Sequence, residues 1–151
     1  MLHLHQALKI KSTPLEIKMK YDILIIEDDK INCLIYEQIL SDVDVKLDFA
    51  YDGEEGLRKF KTSNYQLVLL DLGLPKMDGI TVASFIREFE KTESRDQTPI
   101  MVITADNSSQ TRKLVQALTV NAFLAKPFDL DDFLLIVNSY LNNHFKSSLN
   151  K

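Results

Sequence analysis

Four polar features stand at the ends of short apolar runs in this chain, and together they have the composition of a phosphoryl-transfer site. Asp71 follows Gln66-Leu67-Val68-Leu69-Leu70, the acidic cluster Glu27-Asp28-Asp29 follows residues 21–26, Thr104 follows Pro99 to Ile103, and Lys126-Pro127 follows Ala122 to Ala125. Two carboxylates such as Asp28 and Asp71 brought side by side repel one another at neutral pH, and a hard divalent cation such as Mg2+ relieves that repulsion while keeping several waters. Such an ion also needs neutral oxygen, which the carbonyl of Gly73, two residues past Asp71, is placed to supply, and Glu27 can hold a metal-bound water. A carboxylate that attacks phosphorus needs positive charge and hydrogen-bond donors around the equatorial oxygens. The metal, Lys126 and the Thr104 hydroxyl would provide them.

These groups can cooperate only if the elements that carry them end at one edge. Short β-branched runs alternate with longer amphipathic stretches from Tyr21 onward. The pattern predicts strands over about 21–27, 45–49, 66–70, 99–104 and 122–125, each continuous enough in apolar residues to be buried on both faces except the half-polar second. Between them it predicts helices over about 30–40, 53–61, 79–92, 108–118 and 129–142. Asp52-Gly53-Glu54-Glu55 puts acids where the second helix dipole prefers them, and Asp129 is the N-cap candidate of the last helix, whose Leu130, Phe133, Leu134, Val137 and Leu141 make one apolar face. Five βα units with right-handed crossovers require a doubly wound α/β fold with a parallel sheet covered on both sides. Ligands then bind at the carboxyl ends of the strands, beside the point where strand order reverses.

Whole-chain figures narrow the function classes. The chain has 151 residues, 45% of them hydrophobic, enough for one domain with a real core, and its net charge of −4 argues against a nucleic-acid surface. Cys33 is the single cysteine, so no disulfide or CxxC site is available, and a reducing cytoplasm is the expected location. No apolar stretch approaches the roughly 20 residues of a membrane span, so no membrane insertion is expected. Residues 1–20 read as an N-terminal extension or linker, interrupted by Pro14 and able to form a short docking helix, and residues 144–151 as a short tail. His3 and His5 lack the further ligands a metal site needs.

The strings Tyr21-Asp-Ile-Leu-Ile-Ile-Glu-Asp-Asp29, Leu69-Leu-Asp-Leu-Gly-Leu-Pro-Lys-Met-Asp-Gly79, Ile103-Thr-Ala105 and Phe123-Leu-Ala-Lys-Pro-Phe128 resemble the receiver domain of two-component response regulators over residues 21 to about 143. The resemblance implies a flavodoxin-like fold with strand order 2-1-3-4-5. It makes Asp71 the phospho-acceptor, Glu27 and Asp28 the acidic metal pair, Thr104 the switch hydroxyl, Phe123 the switch aromatic and Lys126 the conserved-type lysine of the family. It implies Mg2+, with Mn2+ as a substitute, and as phosphodonor a histidine kinase or histidine phosphotransfer protein. The downstream protein target would read the face of helix 4, strand 5 and helix 5, with homodimerisation left open. The domain would act as a regulator rather than an enzyme, with self-phosphotransfer and autodephosphorylation as its only catalysis.

Several residues depart from the family pattern. Thr119 stands where a glycine is usual before strand 5, so that Asn121 is a candidate for the left-handed turn. The segment Glu88 to Gln97 is longer than usual, and with Asn32 it resembles receivers of hybrid sensor kinases. Gly73 and Asp106 flank the expected route of attacking water. With the last helix close to the end of the chain, no output domain is expected, leaving a stand-alone regulator, a phosphorelay intermediate or a piece of a hybrid kinase. Other classes fit less well. A haloacid-dehalogenase-type hydrolase wants an acid where Gly73 stands, and a nucleotide or flavin protein wants glycines where Glu27-Asp28-Asp29 stand. The remaining alternative is a receiver-like scaffold that binds its partner independently of phosphorylation.

Overall fold

A computed structural model describes residues 21–141. The extension over 1–20, the tail over 144–151 and residue 142 at the expected end of the last helix lie outside the described residues. Within them the chain forms β1 (Ile23–Ile26), α1 (Lys30–Ile39), β2 (Leu47–Ala50), α2 (Gly53–Thr62), β3 (Leu67–Asp71), α3 (Gly79–Thr92), β4 (Ile100–Thr104), α4 (Ser109–Ala117), β5 (Ala122–Ala125) and α5 (Leu130–Tyr140). No helix among them is long and apolar enough to cross a membrane. Each helix opens on a side chain that accepts from the orphan amides of the first turn: Asp29, Asp52, Asp78, Ser108 and Asp129.

All strand pairs are parallel and the order is β2-β1-β3-β4-β5, so chain direction across the sheet reverses between β1 and β3. Alternate strand residues divide the core. Leu24, Ile26, Val68, Leu70, Ile100 and Val102 pack with Leu57, Phe60, Val82, Ile86 and Val115 beneath α2, α3 and α4. Ile23, Ile25, Leu67, Leu69, Met101 and Ile103 pack with Tyr36, Leu40, Phe133 and Val137 beneath α1 and α5. The central strands β1 and β4 are buried throughout, and β3 up to its last residue, Asp71, as their continuous apolar runs require. Expected to be covered on both faces, β5 is instead half-buried along its length, because it is an edge strand with a neighbour on one side only.

The register brings the chemistry to one edge. Ile26 pairs with Leu70, so Glu27 emerges level with Asp71; Asp71 pairs with Ile103, and Thr104 pairs with Ala125, immediately before Lys126. Gly79 sets the loop between Asp71 and α3. Its amide donates to the Leu72 carbonyl at 2.9 Å, and a Cβ there would lie 2.5 Å from the Asp71 carbonyl oxygen and from Leu72 Cα, so no side chain fits.

At the opposite edge, the left-handed turn before β5 falls on Thr119 (φ 52°), not on Asn121. Asn121 is occupied otherwise: its Oδ1 accepts from the Ile100 amide at 2.9 Å and so starts β4. A β-branched residue in this region is strained by about 1–2 kcal/mol. Thr119→Gly is therefore expected to raise the unfolding free energy by up to about 1 kcal/mol, after the loss of the Gln97 Nε2 donation to Thr119 Oγ1 and the extra freedom of the unfolded glycine. Denaturant titration checks this, and a lower midpoint for the glycine variant would contradict it.

Candidate functional site

Glu27, Asp28 and Asp71 offer carboxylate oxygens that all lie within 4.8 Å of one another. The three differ sharply in surroundings. Glu27 is 1% exposed, Asp71 is half-buried and Asp28 is exposed. Lys126 Nζ lies 3.4 Å from Glu27 Oε1 and 3.3 Å from Asp71 Oδ2, bridging the two deeper acids. Backbone amides take the remaining oxygens: Asp29 N–H donates to Glu27 Oε2 at 3.1 Å and Gly73 N–H to Asp71 Oδ1 at 3.0 Å. Asp28 has no such partner among the described residues. Three carboxylates thus face one ammonium, and every donor at the opening is a hard oxygen, a set suited to a small divalent cation.

Burial pushes the Glu27 carboxyl from its ordinary 4.5 up to about 7; the Asp29 amide opposes this, the Asp71 charge adds to it, and Lys126 opposes it. An acid whose pKa is higher folded than unfolded favours the fold below the unfolded value and loses that contribution as pH rises through the folded one. In the presence of a chelator the protein is therefore expected to lose stability of order 3 kcal/mol between about pH 4.5 and 7 from this group. Glu27→Gln removes most of that slope. Unfolding curves at pH 5 and pH 8 check it, and an equal pH difference in wild type and variant would count against it.

Local structure explains how each group is held. Asp29 both caps α1, its Oδ1 accepting from Ile31 N–H at 2.8 Å, and orients Glu27 through its own amide. The Cys33 thiol donates to the Glu27 carbonyl at 3.6 Å, and burial first, then the neighbouring acids, push that thiol up to about 11, so it is no nucleophile. Lys126 leaves β5 with its amide donating to the Thr104 carbonyl at 2.9 Å, and the Lys126–Pro127 peptide is cis. Thr104 is buried, and its Oγ1 accepts from Asp106 N–H at 3.2 Å. Asp106, which flanks the expected route of water, is tied to the start of α4: Oδ2 accepts from the Thr111 hydroxyl at 2.6 Å and Oδ1 from Ser108 N–H at 3.0 Å. The Thr111 hydrogen bond, with those from Ser108, holds its carboxyl below the usual carboxylate range. Phe123 is half-buried against the α2–α3–α4 side of the core, and the Arg112 guanidinium lies 4.4 Å from its ring centroid.

All the acids, the lysine and the threonine singled out in the sequence meet at this edge, with Phe123 on the neighbouring strand one step before Leu124, the register partner of Ile103. Sequence reasoning missed Tyr36, which lies beneath the acids with Glu27 and Asp71. The spacing of Cys33, Tyr36 and Leu40, a helical inward face, was the available signal.

Comparison with known proteins gives one family. The response regulator receiver domain model matches residues 23–138. Hybrid signal transduction histidine kinase G of Dictyostelium discoideum is 35% identical over 120 residues, 78% of this chain but 3% of that protein. Transcriptional regulatory protein DltR of Streptococcus agalactiae is 37% identical over 114 residues, 74% of this chain and 48% of that protein. The chain thus spans less than half the length of either relative. Among solved structures, the receiver domain of a Pseudomonas aeruginosa sensor histidine kinase, with a magnesium ion coordinated in its active site cleft, superposes with a TM-score of 0.70 at 26% identity over 82% of this chain and 98% of that one. The receiver domain of the Saccharomyces cerevisiae response regulator Ssk1, in its co-crystal with the histidine phosphotransfer protein Ypd1, gives 0.71 at 28% identity over 82% and 90%. With its motifs gathered at the expected sheet edge and the match running from the first strand into the last helix, the chain belongs to the response regulator receiver domain family of two-component signalling.

Proposed function

We propose that this domain is a phosphorylation-activated switch in which Asp71 accepts a phosphoryl group from a histidine kinase or histidine phosphotransfer protein. The observation that carries the reading is the placement of the Asp71 carboxylate beside both the Lys126 ammonium and the Glu27 and Asp28 carboxylates at the reversal point of the sheet. One Asp71 oxygen attacks phosphorus, forming an acyl phosphate as the phosphorus–nitrogen bond of the donor phosphohistidine breaks and its electron pair returns to the imidazole. Gly73 N–H orients the nucleophile, and Lys126 balances charge on the transferred group. Glu27, Asp28, Asp71 and the Gly73 carbonyl would hold Mg2+, or Mn2+ in its place, which when bound neutralises the clustered carboxylates and the phosphoryl oxygens. The magnesium-bearing cleft of the Pseudomonas neighbour supports a divalent metal here, and the Ypd1 complex of the yeast neighbour supports the class of phosphodonor.

Signalling follows by protein contact. The phosphoryl oxygens draw the Thr104 hydroxyl from the Asp106 amide, Phe123 turns inward from beneath Arg112, and the α4–β5–α5 face changes shape for a downstream protein. The lone buried thiol of Cys33 supports a reducing, cytoplasmic setting.

The test is incubation with a small-molecule acyl phosphate, with Mg2+ and with a chelator, followed by intact-mass spectrometry. Wild type is expected to carry one phosphoryl adduct with Mg2+ and Asp71→Asn none. No adduct on wild type, or an adduct that survives in Asp71→Asn, would overturn the reading and leave a phosphorylation-independent scaffold.

A further inference from the structure

Lys126 reaches its acids from the edge strand, on a short loop between β5 and α5, and its carbon stem has four rotatable bonds. Something must hold that loop. Two residues on, the Phe128 ring stacks on Phe133 of α5 at 5.2 Å between centroids, and both stack on Tyr36 of α1, at 6.4 and 5.8 Å, with all three planes within 19° of parallel. Phe133 and Tyr36 are buried, while Phe128 is half-buried. Tyr36 also lines the small space beneath the site with Glu27 and Asp71, and it shares with Lys126 the wall of the neighbouring groove. Tyr36 therefore borders the space under the acid cluster and stacks on the loop that carries its cation.

From this we infer that Tyr36 is a positioning residue for the phosphoryl-transfer reaction: through its stack on Phe128 it fixes the height of Lys126 over Asp71 and Glu27. The inference rests on the phospho-acceptor reading above. Among the described residues neither Tyr36 nor Phe128 makes a hydrogen bond to Asp71, so the effect passes through Lys126. Stacked aromatic rings contribute specific geometry beyond buried area, and an aliphatic side chain in place of Tyr36 leaves the loop free to rise. Displacement of a charged group by about 1 Å can cost up to about a hundredfold in rate. The hydroxyl of Tyr36 has no part in this stack, so its removal leaves the rings in place.

The experiment measures the initial rate of phosphorylation by acetyl phosphate at saturating Mg2+, with the Mg2+ concentration at half-maximal rate, for the full chain. Tyr36→Leu is expected to slow the reaction about tenfold or more with half-saturation by Mg2+ within about twofold of wild type, because Asp28 and Asp71 are untouched. Tyr36→Phe retains the wild-type rate. In a Lys126→Met background, Tyr36→Leu has no further effect, a non-additivity that general loosening of the fold would not produce. If Tyr36→Leu fails to fold, Phe128→Leu, at a half-buried position, replaces it with the same expectations. A folded leucine variant at the wild-type rate, or an equal further loss in the Lys126→Met background, overturns the inference. A wild type that takes no phosphoryl group refutes the phospho-acceptor reading itself and is distinguished from both.

Discussion

Arg87→Met is expected to lower the unfolding free energy by about 3–5 kcal/mol, and the melting temperature by about 10–20 °C. Glu90 is the reason. Its carboxylate is 1% exposed, accepts from Arg87 Nη1 at 2.7 Å and from the Thr98 amide at 2.7 Å, and has no other charge partner among the described residues. Removing one member of a buried pair leaves the other charge desolvated and uncompensated, which costs far more than the pair contributes when intact. Arg87 further donates to the carbonyls of Thr98, Leu118 and Thr119, each at 3.0 Å, and to Asn121 Oδ1 at 3.3 Å. Its loss therefore also strips the strained Thr119 turn and the start of β5 of their donors. Arg87→Met combined with Glu90→Met is expected to recover much of the stability, since neither charge is then buried alone. Calorimetry on the three variants decides it, and a loss below about 1 kcal/mol for Arg87→Met would show that Glu90 finds compensation elsewhere.

Lys126→Met is expected to slow phosphorylation from a small-molecule donor by about a hundredfold to a thousandfold while leaving the protein folded. Two effects compete. The ammonium lies 3.3 Å from Asp71 and 3.4 Å from Glu27, so its removal exposes the incoming phosphoryl group to uncompensated carboxylate charge. The same removal takes away a group that holds the Glu27 carboxyl down, so Glu27, already near 7, keeps a proton at neutral pH and the stability cost is relieved. The rate therefore falls more than the stability. Initial rates by mass spectrometry beside thermal unfolding curves separate the two, and a variant phosphorylated within about threefold of wild type would remove Lys126 from the reaction.

Much of the fold was legible because the signals are local. The helix over 79–92 and the strand over 122–125 form with the bounds their patterns predict, and the other elements shift by two residues or fewer at any end among the described residues. Continuous apolar runs reveal where strands stop, and parallel βα order dictates that the stops share an edge, so Glu27, Asp28, Asp71, Thr104 and Lys126 meet without any pairwise signal between them. Thr119 was recognised as a departure but its resolution was not. Asn121 has the better propensity for a left-handed turn, yet its side chain is needed to open β4, and Arg87, 32 residues away, holds the Thr119 carbonyl instead. Asp106 read as an acid beyond Thr104, and only the packed chain assigns its oxygens their partners, Thr111 and the α4 N-cap Ser108.

By itself, then, the amino-acid order determined the elements, their winding and the inventory of groups at the carboxyl edge of the sheet, since each depends on periodicity and on residue types within one βα unit. Only the folded chain decided how deeply each acid is buried, which amide or ammonium answers it, and which side chains brace the loops. Those outcomes depend on desolvation and on contacts between segments far apart in the chain, as between Lys126 and Glu27, Tyr36 and Phe128, or Arg87 and Thr119. Neither quantity has a local signature, because burial and partnership belong to the packed arrangement rather than to any stretch of sequence.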